Sequence, residues 1–390
     1  MGNSMITFIR KSAEHYVRKL LLQADIIIDG ERPWDIQVIN NDFYQRIIFQ
    51  GSLGLGESYM DKSWECAALD QLFYKILHAD LRSKAISNLP DFFNMLKARV
   101  VNCQSSKRAF QVGEEHYDVG NDLFEIMLDR SMVYSCGYWK RADTLEEAQR
   151  AKLDIICRKL RLSSGMRLLD IGCGWGSLVR YAAQHYGVEA VGITVSKEQA
   201  MFAEKHCSGL PVKIILKDYR ELSGKFDAIA SVGMFEHVGY KNYPCFMQVV
   251  NRCLKKNGLF LLHTIGSNRA QCRCDQWFDK YIFPNGMLPA IVQVGSAIEE
   301  YFVMEDWHNL GVDYDKTLMA WYRNFEENWN KIKTRYSESF FRMWRYYLLS
   351  MAGGFRARHM QTWQIVSSLK GNVEGYTSVR CPDCVSSGII

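Results

Sequence analysis

From Leu168 onward, short runs that are apolar on both parities alternate with longer stretches whose apolar positions recur every three or four residues. A run apolar on both parities is a strand covered on both faces, so the alternation predicts a parallel sheet with helices on either side. The expected strands are 168–171, 190–193, 212–216, 227–232 and 259–265, with a helix over Ser177–Tyr186 after the first. Beyond residue 266 the rhythm breaks into an irregular, cysteine-containing insertion around Pro284-Asn-Gly286. Helical patterns follow over 316–333 and 337–351, then a last strand candidate at 362–366. Ahead of the sheet, helical patterns such as 13–23 and Leu69–His78 surround a short strand candidate at 35–38. The glycine-rich stretch 51–60 precedes no obvious phosphate-binding helix and reads as a surface turn. The segment 97–108 carries four basic residues among polar spacers and reads as a solvated linker rather than a lipid-headgroup patch. The expected division is a smaller, mostly helical N-terminal domain over 1–110 and an α/β domain over 111–390.

Composition narrows the setting. A content of 48% hydrophobic residues with only 7 prolines describes a folded chain. A net charge of +5, with no dense Lys/Arg block, argues against a nucleic-acid partner while suiting an anionic membrane surface. The 12 cysteines follow no regular spacing, which suits reduced thiols in a cytoplasm-like compartment. The first 18 residues lack the continuous apolar core of a signal peptide, and no window of about 18 uninterrupted apolar residues suggests a spanning helix. Contact with a membrane would be lateral.

The first strand runs into the most informative stretch, Arg167-Leu-Leu-Asp-Ile-Gly-Cys-Gly-Trp-Gly176. An acid at a strand end, Asp170, and glycines at Gly172, Gly174 and Gly176 fit a loop that lets a cofactor lie against bare backbone. The dinucleotide fingerprint G-x-G-x-x-G is absent because the third glycine comes one residue early. The pattern resembles motif I of the class I S-adenosylmethionine-dependent methyltransferases, whose Rossmann-like fold is a doubly wound sheet. That resemblance implies that the loop passes the methionine moiety and that an acid on the next strand takes the ribose. At that place this chain has Thr194, followed by Ser196 and Gln199. Gln199 suits either a ribose contact or a capping box with Ser196, and the residues leave both open. After the third strand, Asp218 and Tyr219 offer an acid and a ring suited to an adenine.

Two further strand ends carry Glu236 with His237, and His263. Each alone would be a polar residue lining a sheet edge; beside the glycine loop they are candidates for handling a proton. They lack ordinary zinc spacing, and no metal is expected.

The motifs Glu115-His-Tyr-Asp-Val-Gly-Asn-Asp-Leu-Phe124, Tyr134-Ser-Cys-Gly-Tyr-Trp139, Leu169-Asp-Ile-Gly-Cys-Gly-Trp-Gly176, Gly233-Met-Phe-Glu-His-Val-Gly239, Leu262-His-Thr-Ile-Gly266, Tyr281-Ile-Phe-Pro-Asn-Gly286 and Ala320-Trp-Tyr322 together resemble the cyclopropane-fatty-acyl-phospholipid synthases, with the mycolic-acid enzymes as relatives. The resemblance implies methylene transfer from S-adenosylmethionine to a cis double bond in a phospholipid acyl chain, through a carbocation. A base must then take a proton so that the ring closes, and the family assigns that role to a bound bicarbonate. Its holders carry over as Cys136, Glu236, His263, Ile265 and Tyr322, while Tyr134 and Ser135 would touch the methionine part of the cofactor. Glu236 would be tolerable beside an anion if it accepts the bicarbonate hydroxyl. Rings such as Tyr138, Trp139, Phe235 and Tyr281 could wall an acyl tunnel and face a cation.

One departure from some relatives is Met351, where they carry a reactive cysteine; a thioether forms no thiolate, so covalent catalysis there is excluded. The pair Cys381 and Cys384 near the chain end reads as reduced and disordered. The resemblance further implies a cytoplasmic enzyme lying on the inner face of the membrane and a possible homodimer. Two rivals stay open: an enzyme that leaves a methyl branch or hydroxyl on the same alkene, and a catalytically silent lipid binder.

Overall fold

The computed structural model describes residues 2–81, 120–271 and 273–381. The expected linker, the boundary near residue 110 and Cys384 lie outside the described residues. The N-terminal part holds α1 (Gly2–Leu22), β1 (Gln37–Val38), α2 (Asp42–Met60), β2 (Trp64–Glu65) and α3 (Leu69–His78). The remainder runs α4 (Asn121–Met127), α5 (Leu145–Lys159), β3 (Arg167–Ile171), α6 (Ser177–Tyr186), β4 (Glu189–Thr194), α7 (Lys197–His206), β5 (Val212–Leu216) and β6 (Phe226–Val232). It continues with α8 (Tyr243–Cys253), β7 (Leu254–Ser267), α9 (Gln276–Tyr281), α10 (Ile291–Glu299), β8 (Val303–Asn309), α11 (Gly311–Asn328), α12 (Glu338–Arg356) and β9 (Met360–Ser368).

β3 to β9 form one sheet in the order β5-β4-β3-β6-β7-β9-β8. The first five are mutually parallel, and β9 inserts antiparallel to both β7 and β8. The order therefore reverses between β3 and β6, and a crevice opens beyond the carboxyl ends of strands at such a switch point. The five expected strands all form. β8 carried no signal because it is an edge strand of largely polar and charged residues, Val303-Met-Glu-Asp-Trp-His-Asn309, without the apolar runs of the covered strands.

The helices begin where capping chemistry allows. Thr144 and Glu147 form a reciprocal capping box at the start of α5. Gly176 and Gly187, both left-handed, bound α6. The stretch 51–60 corrects an expectation: it is the second half of α2, kinked at Gly51 (φ 57°, ψ −128°), and not a surface turn. Gly56 is buried against the indole of Trp277, where a Cβ would overlap the ring. Gly51 permits the kink, whereas Gly54 and Gly56 serve close packing.

The described N-terminal elements do not stand apart. Phe43, Tyr59, Trp64 and Leu72 share one hydrophobic core with Trp277, Trp321, Trp344 and Phe355 of the later helices. Arg342 of α12 donates to Glu65 at 2.6 Å, and Arg356 donates to Asp70 at 2.6 Å. Among the described residues no helix is long and apolar enough to cross a membrane.

Candidate active site

A cleft enclosing about 1250 Å³, its open mouth counted, lies beyond the carboxyl ends of β3, β4 and β6. Tyr134, Ser135, Asp170, Gly172, Gly174, Thr194, Gln199, Asp218 and Tyr219 all line it. Gly172 takes φ +86°, and a Cβ there would stand 2.6 Å from that of Met234. Gly176 does not line the cleft. It caps α6 and packs against α7, where a Cβ would lie 3.1 Å from that of Ala203.

Asp170 ends β3 almost fully buried, and its Oδ1 has no partner among the described residues. Burial pushes its carboxyl up to about 7, opposed by the nearby Lys152. Lys152 lines the same cleft and donates from Nζ to Ser135 Oγ at 2.9 Å. Burial lowers its ammonium to about 8. Sequence reasoning passed over this residue. The available signal was a lysine standing in the buried stripe of α5, among Leu145, Ala148, Leu153 and Ile156.

The open reading of Gln199 resolves into a partial cap. Its backbone N–H donates to Ser196 Oγ at 3.3 Å, but its side-chain Oε1 accepts from the Thr194 hydroxyl at 2.9 Å instead of turning back to Ser196. Asp218 accepts from the Arg220 backbone at 2.9 Å and pairs with its guanidinium at 2.7 Å, which fixes the carboxylate on the cleft wall. Tyr219 packs edge-on to Phe246 at 5.3 Å. The Tyr134 hydroxyl lies 2.8 Å from that of Tyr347.

A second polar group sits deeper, where β6 ends beside β7. Glu236 stands in the short turn Phe235–His237, and its Oε1 accepts from the Ile265 N–H at 2.6 Å. Its Oε2 is buried without a partner among the described residues, and burial pushes the carboxyl up to about 7. His263 lies two residues before Ile265 on β7, is 2% exposed, and has its Nδ1 3.2 Å from Gln364 Nε2. Its Nε2 also lacks a partner, and burial holds the ring well below the usual histidine range, so it is neutral. Cys136 is fully buried; its thiol donates to the Gly137 carbonyl at 3.2 Å, and burial keeps it protonated. Thr317 of α11 takes the Gly137 N–H at 3.1 Å.

Tyr322 departs from this gathering. Its hydroxyl donates to Glu326 Oε1 at 2.6 Å and accepts from Arg345 Nε at 3.3 Å, so it faces α12. The tyrosine of α11 that packs toward Tyr134 is Tyr314, buried edge-on against Trp321, which in turn tilts against Tyr134. Two expected tunnel rings are also placed elsewhere. Phe235 stacks on Tyr243 at 4.1 Å inside the core under the sheet, and Tyr138 meets His308 and donates to the Arg380 carbonyl. Trp139 donates to Thr317 at 2.8 Å, and Tyr281 donates to Glu57 at 2.8 Å. Met351 is core of α12. Among the described residues no cluster has the makings of a metal site.

A switch-point cleft floored by a glycine loop, with an orphaned acid at the first strand end, defines a class I S-adenosylmethionine-dependent methyltransferase. Solved structures agree. The mycolic acid cyclopropane synthase CmaA1 complexed with SAH and CTAB superposes with a TM-score of 0.62 at 32% identity, covering 66% of this chain and 97% of that one. Coclaurine N-methyltransferase bound to N-methylheliamine and SAH, at 21% identity and a TM-score of 0.67 over 80% of this chain and 98% of that one, shares the fold. The chain belongs to the mycolic acid cyclopropane synthetase family, whose model matches residues 104–365. The cyclopropane-fatty-acyl-phospholipid synthase of Escherichia coli (strain K12) is 54% identical over 371 residues, 94% of this chain and 97% of that protein. Cyclopropane mycolic acid synthase 3 of Mycobacterium tuberculosis (strain CDC 1551 / Oshkosh) is 35% identical, over 62% of this chain and 91% of its own length.

Proposed function

We propose that the protein converts the cis double bond of an unsaturated acyl chain in membrane phospholipid to a cyclopropane ring, with S-adenosylmethionine as one-carbon donor and bound bicarbonate as base. The observation that carries this reading is the pair of buried polar atoms without protein partners, Glu236 Oε2 and His263 Nε2, beside the cofactor cleft. A buried acceptor and a buried donor left unpaired each cost roughly 1–3 kcal/mol. A small ligand that donates one hydrogen bond and accepts another relieves both, and hydrogen carbonate has that pattern. Full-length similarity to the E. coli phospholipid enzyme supports the substrate class.

When bound, S-adenosylmethionine supplies an electrophilic methyl and bicarbonate a proton acceptor; the chain's part is to place and isolate them. The glycine loop and Asp170 would hold the nucleoside end, with Thr194, Gln199, Asp218 and Tyr219 along the wall. Lys152 fixes the Ser135 hydroxyl, which with Tyr134 would meet the methionine end. Ile265 spends its N–H on Glu236 Oε1 and leaves the buried Oε2 as the orienting acceptor. His263 presents a donor.

Exposed apolar side chains at Leu22, Ile27, Ile39 and Phe49 of the N-terminal elements support lateral docking on the inner face of the cytoplasmic membrane. Vesicle flotation with and without a Phe49→Ser/Ile39→Ser change tests that contact, and sedimentation tests a homodimer.

The reaction is tested with purified protein, methyl-labelled S-adenosylmethionine and vesicles of cis-unsaturated or saturated phospholipid. Label should enter only the unsaturated lipid, with loss of the olefinic proton signals and appearance of ring methylene signals. Vesicle binding without consumption of S-adenosylmethionine would refute it.

A further inference from the structure

Behind His263 runs a buried polar chain that the reaction as outlined does not use. Lys159, at the end of α5, is fully buried. Its Nζ lies 2.8 Å from Gln364 Oε1 and 2.9 Å from His308 Nδ1, with Asp306 Oδ2 at 3.9 Å. Gln364 of β9 is directly opposite His263 of β7 in the antiparallel register, and its Nε2 lies 3.2 Å from His263 Nδ1. Asp306 is itself held by Arg380 and Ser378.

The hydrogen-bonding inventory leaves one solution. A lysine ammonium has only donors, so the Gln364 atom facing it must be the carbonyl oxygen. That places the amide NH₂ against His263 Nδ1, which must then accept. A neutral imidazole carries one proton, so it lies on Nε2, the ring atom that is buried without a partner. Asp306 Oδ2 at 3.9 Å favours the ammonium form on which this assignment depends; a neutral amine keeps it where His308 Nδ1 carries a proton, since Nζ then accepts from His308 and still donates to Gln364.

We infer that Lys159 and Gln364 are positioning residues that lock His263 as the Nε2–H tautomer, so that the ring presents a fixed donor to the anion held beside Glu236. The inference rests on the bicarbonate reading for its purpose, but the tautomer is a property of the chain alone. Without Lys159 the amide is free to rotate, and its oxygen would draw the proton to Nδ1. The ring would then offer an acceptor where a donor is needed. A glutamate at 364 produces the same reversal directly, since its carboxylate accepts from both neighbours.

The test uses the full chain labelled with ¹⁵N-histidine, with the His263 signals assigned by their loss in His263→Asn. In the wild type, Nδ1 should resonate as an unprotonated and Nε2 as a protonated nitrogen. Gln364→Glu should exchange the two and lower turnover roughly 10- to 100-fold, the range for a lost orienting partner, with affinity for S-adenosylmethionine unchanged. Lys159→Met should give a mixture of tautomers and a smaller loss. A protonated Nδ1 in the wild type overturns the inference without need of any variant. A Gln364→Glu protein that keeps the wild-type tautomer overturns it as well. Exchanged tautomers with undiminished turnover overturn the positioning role and the donor reading of His263, while labelled lipid formation still tests the reaction separately.

Discussion

The cofactor cleft and the Glu236–His263 group lie at neighbouring strand ends of one sheet but are built in opposite ways. The cleft is an open crevice walled mostly by loops that each follow their own strand, so Asp170, Thr194, Gln199, Asp218 and Tyr219 are placed by local chain, with Tyr134, Ser135 and the α5 residue Lys152 closing one side. The deeper group is closed. Its members are fixed by pairings across long separations: Ile265 with Glu236, His263 with Gln364, and Gln364 with Lys159. A cofactor that enters and leaves needs the first kind of site; under the proposed reaction, a base working beside a carbocation needs the second, where water is excluded and every donor is assigned.

The sharpest way to break this distinction is at Glu236. Glu236→Gln should cut turnover by on the order of a hundredfold or more while leaving S-adenosylmethionine affinity nearly unchanged, measured by steady-state kinetics and calorimetric titration. Equal loss of both would merge the two regions into one. The same variant carries a stability signature. Because burial raises the folded-state value of Glu236 to about 7, above its unfolded value, the carboxyl favours folding most at acid pH and loses that contribution as pH rises toward 7. Glu236→Gln should therefore match the wild type near pH 4 and gain on it progressively up to about 3 kcal/mol near pH 8, read from denaturant unfolding.

Lys152 sharpens the other side. Lys152→Met strips Ser135 of its donor and leaves Asp170 buried without the cation that opposes its burial. The dissociation constant for S-adenosylmethionine should rise about tenfold, while turnover at saturating cofactor changes only a few-fold. The smallest effect belongs outside both regions. Gly56→Ala forces a methyl into the Trp277 indole and should cost roughly 1–3 kcal/mol of stability, with KM and turnover unchanged below the melting transition.

The same contrast governs what could be read from the sequence. The strands β3, β4, β6 and β7 were legible because both their faces are covered and their composition says so, β5 was legible from its apolar run although it is a partly exposed edge strand, and the glycine loop was legible because its spacing encodes backbone conformation. β8 was not, since an edge strand with three charged or imidazole side chains in seven residues has no such signature. Glu236 and His263 could be named as polar residues at strand ends, but their partners could not. Nothing in one dimension tells that Gln364 falls opposite His263 once β9 turns antiparallel, or that Lys152 and Lys159, two turns apart on α5, are both buried. Tyr322 shows the converse error. A motif placed it at the site, whereas the helical repeat of α11 turns its hydroxyl to Glu326 and Arg345.

The central claim is that the transferred carbon loses a proton inside the protein to close a ring. It is tested most directly with trideuteromethyl-labelled S-adenosylmethionine and cis-unsaturated phospholipid vesicles, followed by mass spectrometry and deuterium NMR of the lipid. The account requires that one deuteron be lost and the rest appear in a cyclopropane methylene. Retention of the whole labelled methyl, as a branch on a saturated or hydroxylated chain, would contradict it.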